Sequence, residues 1–297
     1  MLSLSKRAHE NVSESVKEFE ALRWRAGAVS RDPDRLAVEE PLEIRLAGRR
    51  FTLTMRTPGH DRELAAGFLL AEGFVGSSDE LGEIRPVPGP RGEPEPNAID
   101  VLLSVPAERL RERLKRNFVI SSSCGVCGKT SIEAIERRIA RIEDKVRISA
   151  AAILKLPAMM REAQAVFSAT GGLHAAALFA LPAANGSSNG AQSASLMVPS
   201  LTVLREDVGR HNAVDKVIGY SLLRDMVPLS DAVMMVSGRT SFEIVQKAAS
   251  AGVPILCAVS APSSLAVDLA QELGVTLVGF LREPNFNVYS CPERILT

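Results

Sequence analysis

The sequence predicts an α/β protein, with a largely parallel sheet flanked by helices in its second half and a smaller α+β part before it. Three observations carry this. From about residue 150, short apolar runs alternate with helix-length amphipathic segments, the rhythm of βαβ units. Earlier, an alternating stretch around a turn reads as a hairpin and is followed by one helix. The 297 residues are also enough for two units at about 150 residues each. The expected boundaries are a polar leader over 1–38, an α+β part over 39–148 and an α/β part over 149–297.

Residues 1–38 are polar and charged, and predict a frayed or helical leader. Between Ala37 and Met55, Leu42, Ile44 and Leu46 share one face and Ala47-Gly48 turns the chain, which gives the hairpin. Leu64, Phe68, Ala71 and Val75 recur at helical spacing, after a His60-Asp61 start that supplies an N-cap and an acidic first turn. Residues 82–97, with five prolines and three glycines, read as a surface loop. A strand follows at Ala98–Val105, and Ile132, Ile135 and Ile139 stripe a helix ending near Arg141. Beyond 150, helices are expected at Pro157–Phe167, His211–Leu223, Ser241–Ala251 and Pro262–Leu273. Strands are expected at His174–Leu181, Ser195–Leu204, Ala232–Val236, Ile255–Val259 and Thr276–Leu281, with a long hairpin tip at Ala183–Ser195.

Thirty-five basic residues balance 35 acidic ones, so the excess cation that grips a nucleic-acid backbone is missing. No apolar run of about 20 residues is uninterrupted and the N-terminus has no signal-like apolar core, so a soluble protein with neither membrane nor nucleic acid as partner is expected. Four cysteines are too few for a disulfide scaffold. Cys257 lies in an apolar strand and reads as an inert buried thiol, and Cys291 as a bystander.

Cys124 and Cys127 are different. They sit in SSSCGVCGKT, each followed by glycine, with a Thr130/Glu133 capping box starting a helix just behind them. A helix N-terminus and the adjacent Lys129 both favour thiolate over thiol, and the thiolate is the nucleophile of redox and sulfur chemistry. Half a zinc knuckle or two idle thiols stay open on spacing alone. Four later segments share another logic: a strand ends and the chain turns where backbone N–H groups can face an anion. They are Gly209-Arg210-His211-Asn212, Ser237-Gly238-Arg239-Thr240 with a Thr240/Glu243 capping box, Ser260–Ser264, and Leu281–Phe286. If these ends share one rim, they line a groove for phosphates, with arginines giving paired contacts. His174 is followed by Ala175 and Ala176 where a zinc deaminase would carry H-x-E, so it reads as a satisfied histidine and not as a zinc ligand.

Together the strings VEEPLEIRLAGRRFTLTMRTPGHDRELAAGFLLAEGF, SSSCGVCGKT, FSATGGLHAAAL, REDVGRHNAVDKVIG, SGRTSFEIVQKAASAGVPIL and GFLREPNFNVYS resemble the formate dehydrogenase accessory sulfurtransferases, the FdhD family, over roughly residues 37–291. The resemblance implies a cytidine-deaminase-like three-layer sandwich for the C-terminal part, without the deaminase zinc site. It implies a cytoplasmic homodimer that takes persulfide sulfur from a cysteine desulfurase. The sulfur would pass to the molybdenum (or tungsten) bis-guanine-dinucleotide cofactor, bound as substrate and mimicked by guanine nucleotides, before its insertion into formate dehydrogenase. Cys124 would hold the persulfide and Cys127 assist or accept it. The cofactor would lie against Phe280, Leu281, Arg282, Glu283, Pro284 and Asn285, with Gly209, Arg210, His211, Asn212, Gly238, Arg239 and Thr240 completing the groove. One departure weakens the first segment: Glu283-Pro284-Asn285 stands where the family often has glycine and a further basic residue. Competing readings are a non-catalytic escort of the cofactor and, more distantly, a thiol–disulfide oxidoreductase.

Overall fold

The computed structural model describes residues 14–106, 108, 110, 139–143, 146–182 and 198–297. The Cys124–Cys127 segment, the Thr130/Glu133 capping box, nearly all of the 132–141 helix and the Ala183–Ser195 tip lie outside the described residues.

In its described part, from residue 14, the expected leader is instead a two-stranded ribbon, β1 (Val16–Arg25) and β2 (Ala28–Ala37). Its turn is Ala26-Gly27, both at positive φ (48° and 88°), the conformation a two-residue hairpin needs. Cross-strand pairs such as Arg23–Asp34 (3.1 Å) and Arg35–Glu18 (3.4 Å) lace it. The ribbon buries little, with Trp24 73% and Leu22 69% exposed, which is why its composition reads as solvated leader.

The expected hairpin forms from β3 (Glu40–Leu46) and β4 (Arg49–Arg56), turning at Ala47-Gly48. Leu42, Ile44 and Leu46 all point into the core, as their alternation requires. The Pro-rich stretch is not a loop. It pairs as β5 (Leu81–Pro88) with β6 (Pro94–Leu103), in a sheet ordered β4-β3-β6-β5. β5 is an edge strand, where a proline's missing N–H costs no ladder bond, and Ile84 and Val87 are buried from it. Helix α1 (Asp61–Ala71) covers this sheet. Its acidic first turn is present, but His60 sits at the N-cap position in a left-handed conformation (φ 60°) and its side chain caps nothing.

The second half forms a six-stranded sheet ordered β13-β12-β11-β10-β8-β9, from β8 (His174–Ala180), β9 (Ser200–Asp207), β10 (Ala232–Val236), β11 (Ile255–Ala258), β12 (Thr276–Arg282) and β13 (Asn285–Ser290). The expectation of a largely parallel sheet is corrected. Only β10–β11 and β11–β12 are parallel, because β8 and β9 are consecutive antiparallel strands and β13 folds straight back on β12. β9 starts five residues later than expected. A short parallel pair, β7 (Ile148–Ser149) with β14 (Ile295–Leu296), ties the chain end to the start of this unit.

The strands are apolar on both faces, as a sheet buried between two layers must be. Ala175, Ala177, Phe179, Val233, Met235, Ile255, Cys257 and Val278 pack on α2 (Ala150–Ala163), which runs through the expected start at Pro157 and ends at Gln164, before α3 (Ala165–Thr170). Burial of Ala152, Ile153, Leu156 and Met160 against the sheet overrides the proline. The other face, with Ala176, Leu178, Met234, Val236, Leu256 and Leu277, joins α4 (Arg210–Leu222), α5 (Phe242–Ser250), α6 (Ser264–Leu273) and α1 in one apolar core. That core is continuous across residue 148.

The joint is the α1–α4 crossing. A Cβ on Gly67 would lie 1.8 Å from the Asp215 carbonyl oxygen, and one on Gly219 1.8 Å from that of Glu63. The two backbones touch where each helix has only hydrogen. No described helix is long and apolar enough to cross a membrane.

Candidate functional site

The carboxyl ends of β9, β10, β11 and β12 meet on one edge of the sheet. The Thr240 N–H donates to the Ala261 carbonyl (3.2 Å), the Ser263 N–H to that of Thr240 (3.0 Å), and the Phe280 N–H to that of Ser260 (3.2 Å). On the other side His211 Nε2 lies 3.3 Å from Ser241 Oγ and 3.4 Å from Glu243 Oε2, joining the start of α4 to that of α5. A Cβ on Gly238 would stand 3.3 Å from His174 Nδ1 and 4.0 Å from Arg210 Cδ. The four expected junctions therefore form one rim.

The motif REDVGRHNAVDK divides its labour. Asp207, fully buried, accepts from Gly209 N (2.8 Å), Asn212 Nδ2 (3.0 Å) and Thr57 N (3.2 Å), and pairs with Lys216 Nζ at 2.6 Å. Lys216 also donates to the Thr57 carbonyl (2.9 Å), and Asn212 to that of Met55 (2.7 Å). Arg205 grips Glu63 (2.6 Å), and Asp215 accepts from Lys247 (2.8 Å). Glu206 takes the Val166 and Phe167 N–H groups at the start of α3 (2.9 and 2.7 Å). Asp207, Lys216, Asn212 and Arg205 bind the two halves, and Asp207 and Asn212 fix the turn, whereas Asp215 ties α4 to α5 and Glu206 ties β9 to α3 within the second half. Asn212, expected in the groove, is 9% exposed and committed to this network.

Arg210 and His211 are left facing the rim. Arg210 is half-buried and its Nε is buried without a partner among the described residues, and so is Thr240 Oγ1. A buried donor left unpaired costs about 1–3 kcal/mol. Two such orphans on adjacent turns are groups that a polar ligand could satisfy. The Thr240/Glu243 capping box is not made: Ser241 holds the N-cap position of α5, and its hydroxyl donates to Glu243 (2.9 Å) without capping a backbone N–H. Gly238 is half-buried and Arg239 exposed beside it.

Phe280, Arg282, Glu283, Pro284 and Asn285 form an exposed β12–β13 turn, with Phe280 at positive φ (52°). Leu281 is different: its side chain is fully buried in the core against α2, so it has only backbone to offer a ligand. Cys257 is fully buried with its thiol pushed well above the usual range by burial, as expected of an inert thiol.

Next to the rim opens a cleft of about 480 Å³, lined by Met160, Arg161, Gln164, Phe167, His174 and Ser237 among others. Except for His174 and Ser237, its residues carry no signal in the sequence beyond the string FSATGGLH, because they come from a helix joint. A larger opening of about 1030 Å³ lies around His60. Its buried cation, Arg56, is already engaged by Asp61 (3.0 Å), Glu40 (3.3 Å) and Asn97 (3.0 Å).

Burial, helped by Arg205 beside one and Arg210 beside the other, lowers His60 and His211 to about 4. Both are neutral in the folded protein, whereas the unfolded chain takes up protons near 6.5. Their contribution is complete above pH 6.5 and is lost as pH falls toward 4. Asp215, raised to about 6 by burial against the pull of Lys247, works in the opposite direction over the same range. The test is therefore a difference: the urea midpoint of His60→Asn, a residue that accepts left-handed backbone, should fall less between pH 7.5 and 5 than that of the wild type. Equal falls would exclude His60.

Fold and rim define an α/β protein whose strand-to-helix turns gather at the carboxyl edge of a mixed sheet, the usual place for a ligand in such sheets. The chain belongs to the FdhD/NarQ family, whose model it matches over residues 37–296. It is 49% identical over 274 residues to the sulfur carrier protein FdhD of Mycolicibacterium paratuberculosis, covering 91% of this chain and 95% of that one. It is 50% identical over 280 residues to that of Streptomyces avermitilis, covering 92% and 93%. A crystal structure described as a formate dehydrogenase accessory protein from Desulfotalea psychrophila superposes with a TM-score of 0.68 at 27% identity, covering 95% of this chain and 99% of that one.

Proposed function

We propose that this protein is a sulfurtransferase serving formate dehydrogenase maturation in the cytoplasm. The Cys124 thiolate attacks the outer sulfur of a desulfurase persulfide. The sulfane sulfur moves to Cys124, and the desulfurase cysteine leaves as thiolate. Cys127 assists or accepts, and the thiol pair, left as a disulfide, supplies the two electrons with which the sulfur leaves as sulfide for the molybdenum bis-guanine-dinucleotide cofactor, the substrate. A homodimer is the form we assign, and the C-terminal sandwich we assign to the cytidine-deaminase-like class, a reading supported by its three layers.

The observation that carries the groove part is the pair of orphaned donors, Arg210 Nε and Thr240 Oγ1, on one rim. A guanine-dinucleotide tail brings phosphate oxygens, acceptors only, and the rim offers donors without acceptors. Arg239 at the same turn adds charge. Glu283 on the β12–β13 turn repels phosphate, so the β10 and β9 turns carry the anion in this reading.

The test is activation of cofactor-deficient formate dehydrogenase by the purified protein with a desulfurase and cysteine. Cys124→Ala should abolish activation while still binding guanosine diphosphate (GDP). Full activation by Cys124→Ala would leave the escort role instead.

A further inference from the structure

His211 stands half-buried at the start of α4, and two oxygens face its Nε2. Ser241 Oγ lies 3.3 Å away and Glu243 Oε2 3.4 Å away, both from the start of α5. The Ser241 hydroxyl has one hydrogen, and it is spent on Glu243 (2.9 Å). Nε2 can satisfy that hydroxyl oxygen and the carboxylate together only as a donor, so the hydrogen-bond network assigns the neutral ring to the Nε2–H tautomer. Nδ1 then keeps its lone pair, and it has no hydrogen-bond partner among the described residues.

The rim beside it offers donors, since Arg210 Nε and Thr240 Oγ1 are buried without a partner among the described residues. A phosphate oxygen only accepts. A bare Nδ1 lone pair repels such a group, whereas a protonated Nδ1 gives it one more donor and a charge.

We propose that an anion enters the rim together with one proton, taken up by Nδ1 of His211, and that Glu243, braced by Ser241, is the counter-charge of the resulting imidazolium. The inference rests on the rim as a diphosphate seat and adds the proton that its occupation requires. The charges around the ring suit such a link. In the protein alone, burial, Arg210 on the same helix and Lys247 on α5 hold the ring neutral against the pull of Glu243, lowering it to about 4. The positive end of α4 acts in the same sense. Arg239 is exposed at the next turn, His174 lies beside Gly238, and Asp207 below the turn is committed to Lys216. A diphosphate cancels the effect of Arg210 and of the helix end, while Glu243 stays in place. Proton and anion then strengthen each other's binding by one common factor, as linkage demands.

The experiment follows the ring Cε1–H signals of the full chain by NMR between pH 5 and 8, with and without saturating GDP. The chain has four histidines, and the signal missing from His211→Gln identifies His211. In the protein alone this signal should not titrate in that range. With GDP bound its midpoint should rise by about 1–3 pH units, the effect of an opposite charge within about 4–6 Å. Calorimetry at pH 6 in two buffers of different ionisation enthalpy should show more proton uptake on GDP binding by the wild type than by His211→Gln. Glu243→Gln keeps a hydrogen-bonding oxygen and removes the charge, so its GDP-bound midpoint should fall below that of the wild type, a change that a merely structural carboxylate would not cause. Equal proton uptake in wild type and His211→Gln, or a His211 signal that GDP leaves untitrated above pH 5, would overturn the proton link and leave the diphosphate seat standing. Failure of GDP to bind at any pH would remove the seat and the inference together.

Discussion

Gly219→Ala is expected to lose about 3 kcal/mol or more of stability, at the upper end for overpacking, because the added methyl has no soft neighbour to displace. Its Cβ would meet the Glu63 carbonyl oxygen at 1.8 Å and the Gly67 N at 2.8 Å, all backbone. The two helices can only move apart, which opens the core shared by Leu64, Val217 and Ile218. Gly76→Ala is the control, since its Cβ would find only Glu80 Oε2 at 3.8 Å. Urea unfolding should show a large drop in midpoint for the first and little for the second. An unchanged midpoint for Gly219→Ala would mean that α1 and α4 do not cross as described.

Asp207→Ala should cost about 3–5 kcal/mol, the usual penalty for stranding one member of a buried pair. Lys216 is 1% exposed, and without the carboxylate it keeps, among the described residues, the Thr57 and Glu206 carbonyls as hydrogen-bond partners. The Gly209 and Asn212 contacts that hold the turn before Arg210 vanish in the same change. Stability and GDP affinity should therefore fall together. The double variant Asp207→Leu/Lys216→Met should recover much of the stability, since neither charge is then stranded, while leaving the turn unsupported. Stability and binding would separate in that double variant. If Asp207→Ala alone proved neutral, the network joining the two halves would not carry load.

The elements that sequence made legible were those with periodicity and a packing reason for it. Leu42, Ile44 and Leu46 alternate because they face α1, and β10, β11 and β12 read as apolar runs because both their faces are covered. The ribbon was not legible, although Ala26-Gly27 repeats the turn of Ala47-Gly48. Its strands bury too little for any stripe to stand out from the charges. β5 was hidden by Pro86 and Pro88, residues that weigh against a strand unless it is known to be an edge. Strand direction was misjudged because β8 is an apolar run like the parallel strands β10, β11 and β12, and texture alone carries no direction. At the site, the turns announced themselves through glycine, arginine and hydroxyl residues, and the structure brings them to one rim. That Leu281 packs inward and that Asn212 serves the scaffold are matters of tertiary contact. No spacing in the chain encodes them.

Sulfur carriage by Cys124 is the step on which the proposed function turns. It is tested most directly by mass spectrometry of the full chain after incubation with a cysteine desulfurase and free cysteine, beside Cys124→Ala and Cys127→Ala. One added sulfur atom is expected on the peptide containing Cys124, absent in Cys124→Ala and removed by a thiol reductant. An active desulfurase that leaves both cysteines unmodified would contradict it.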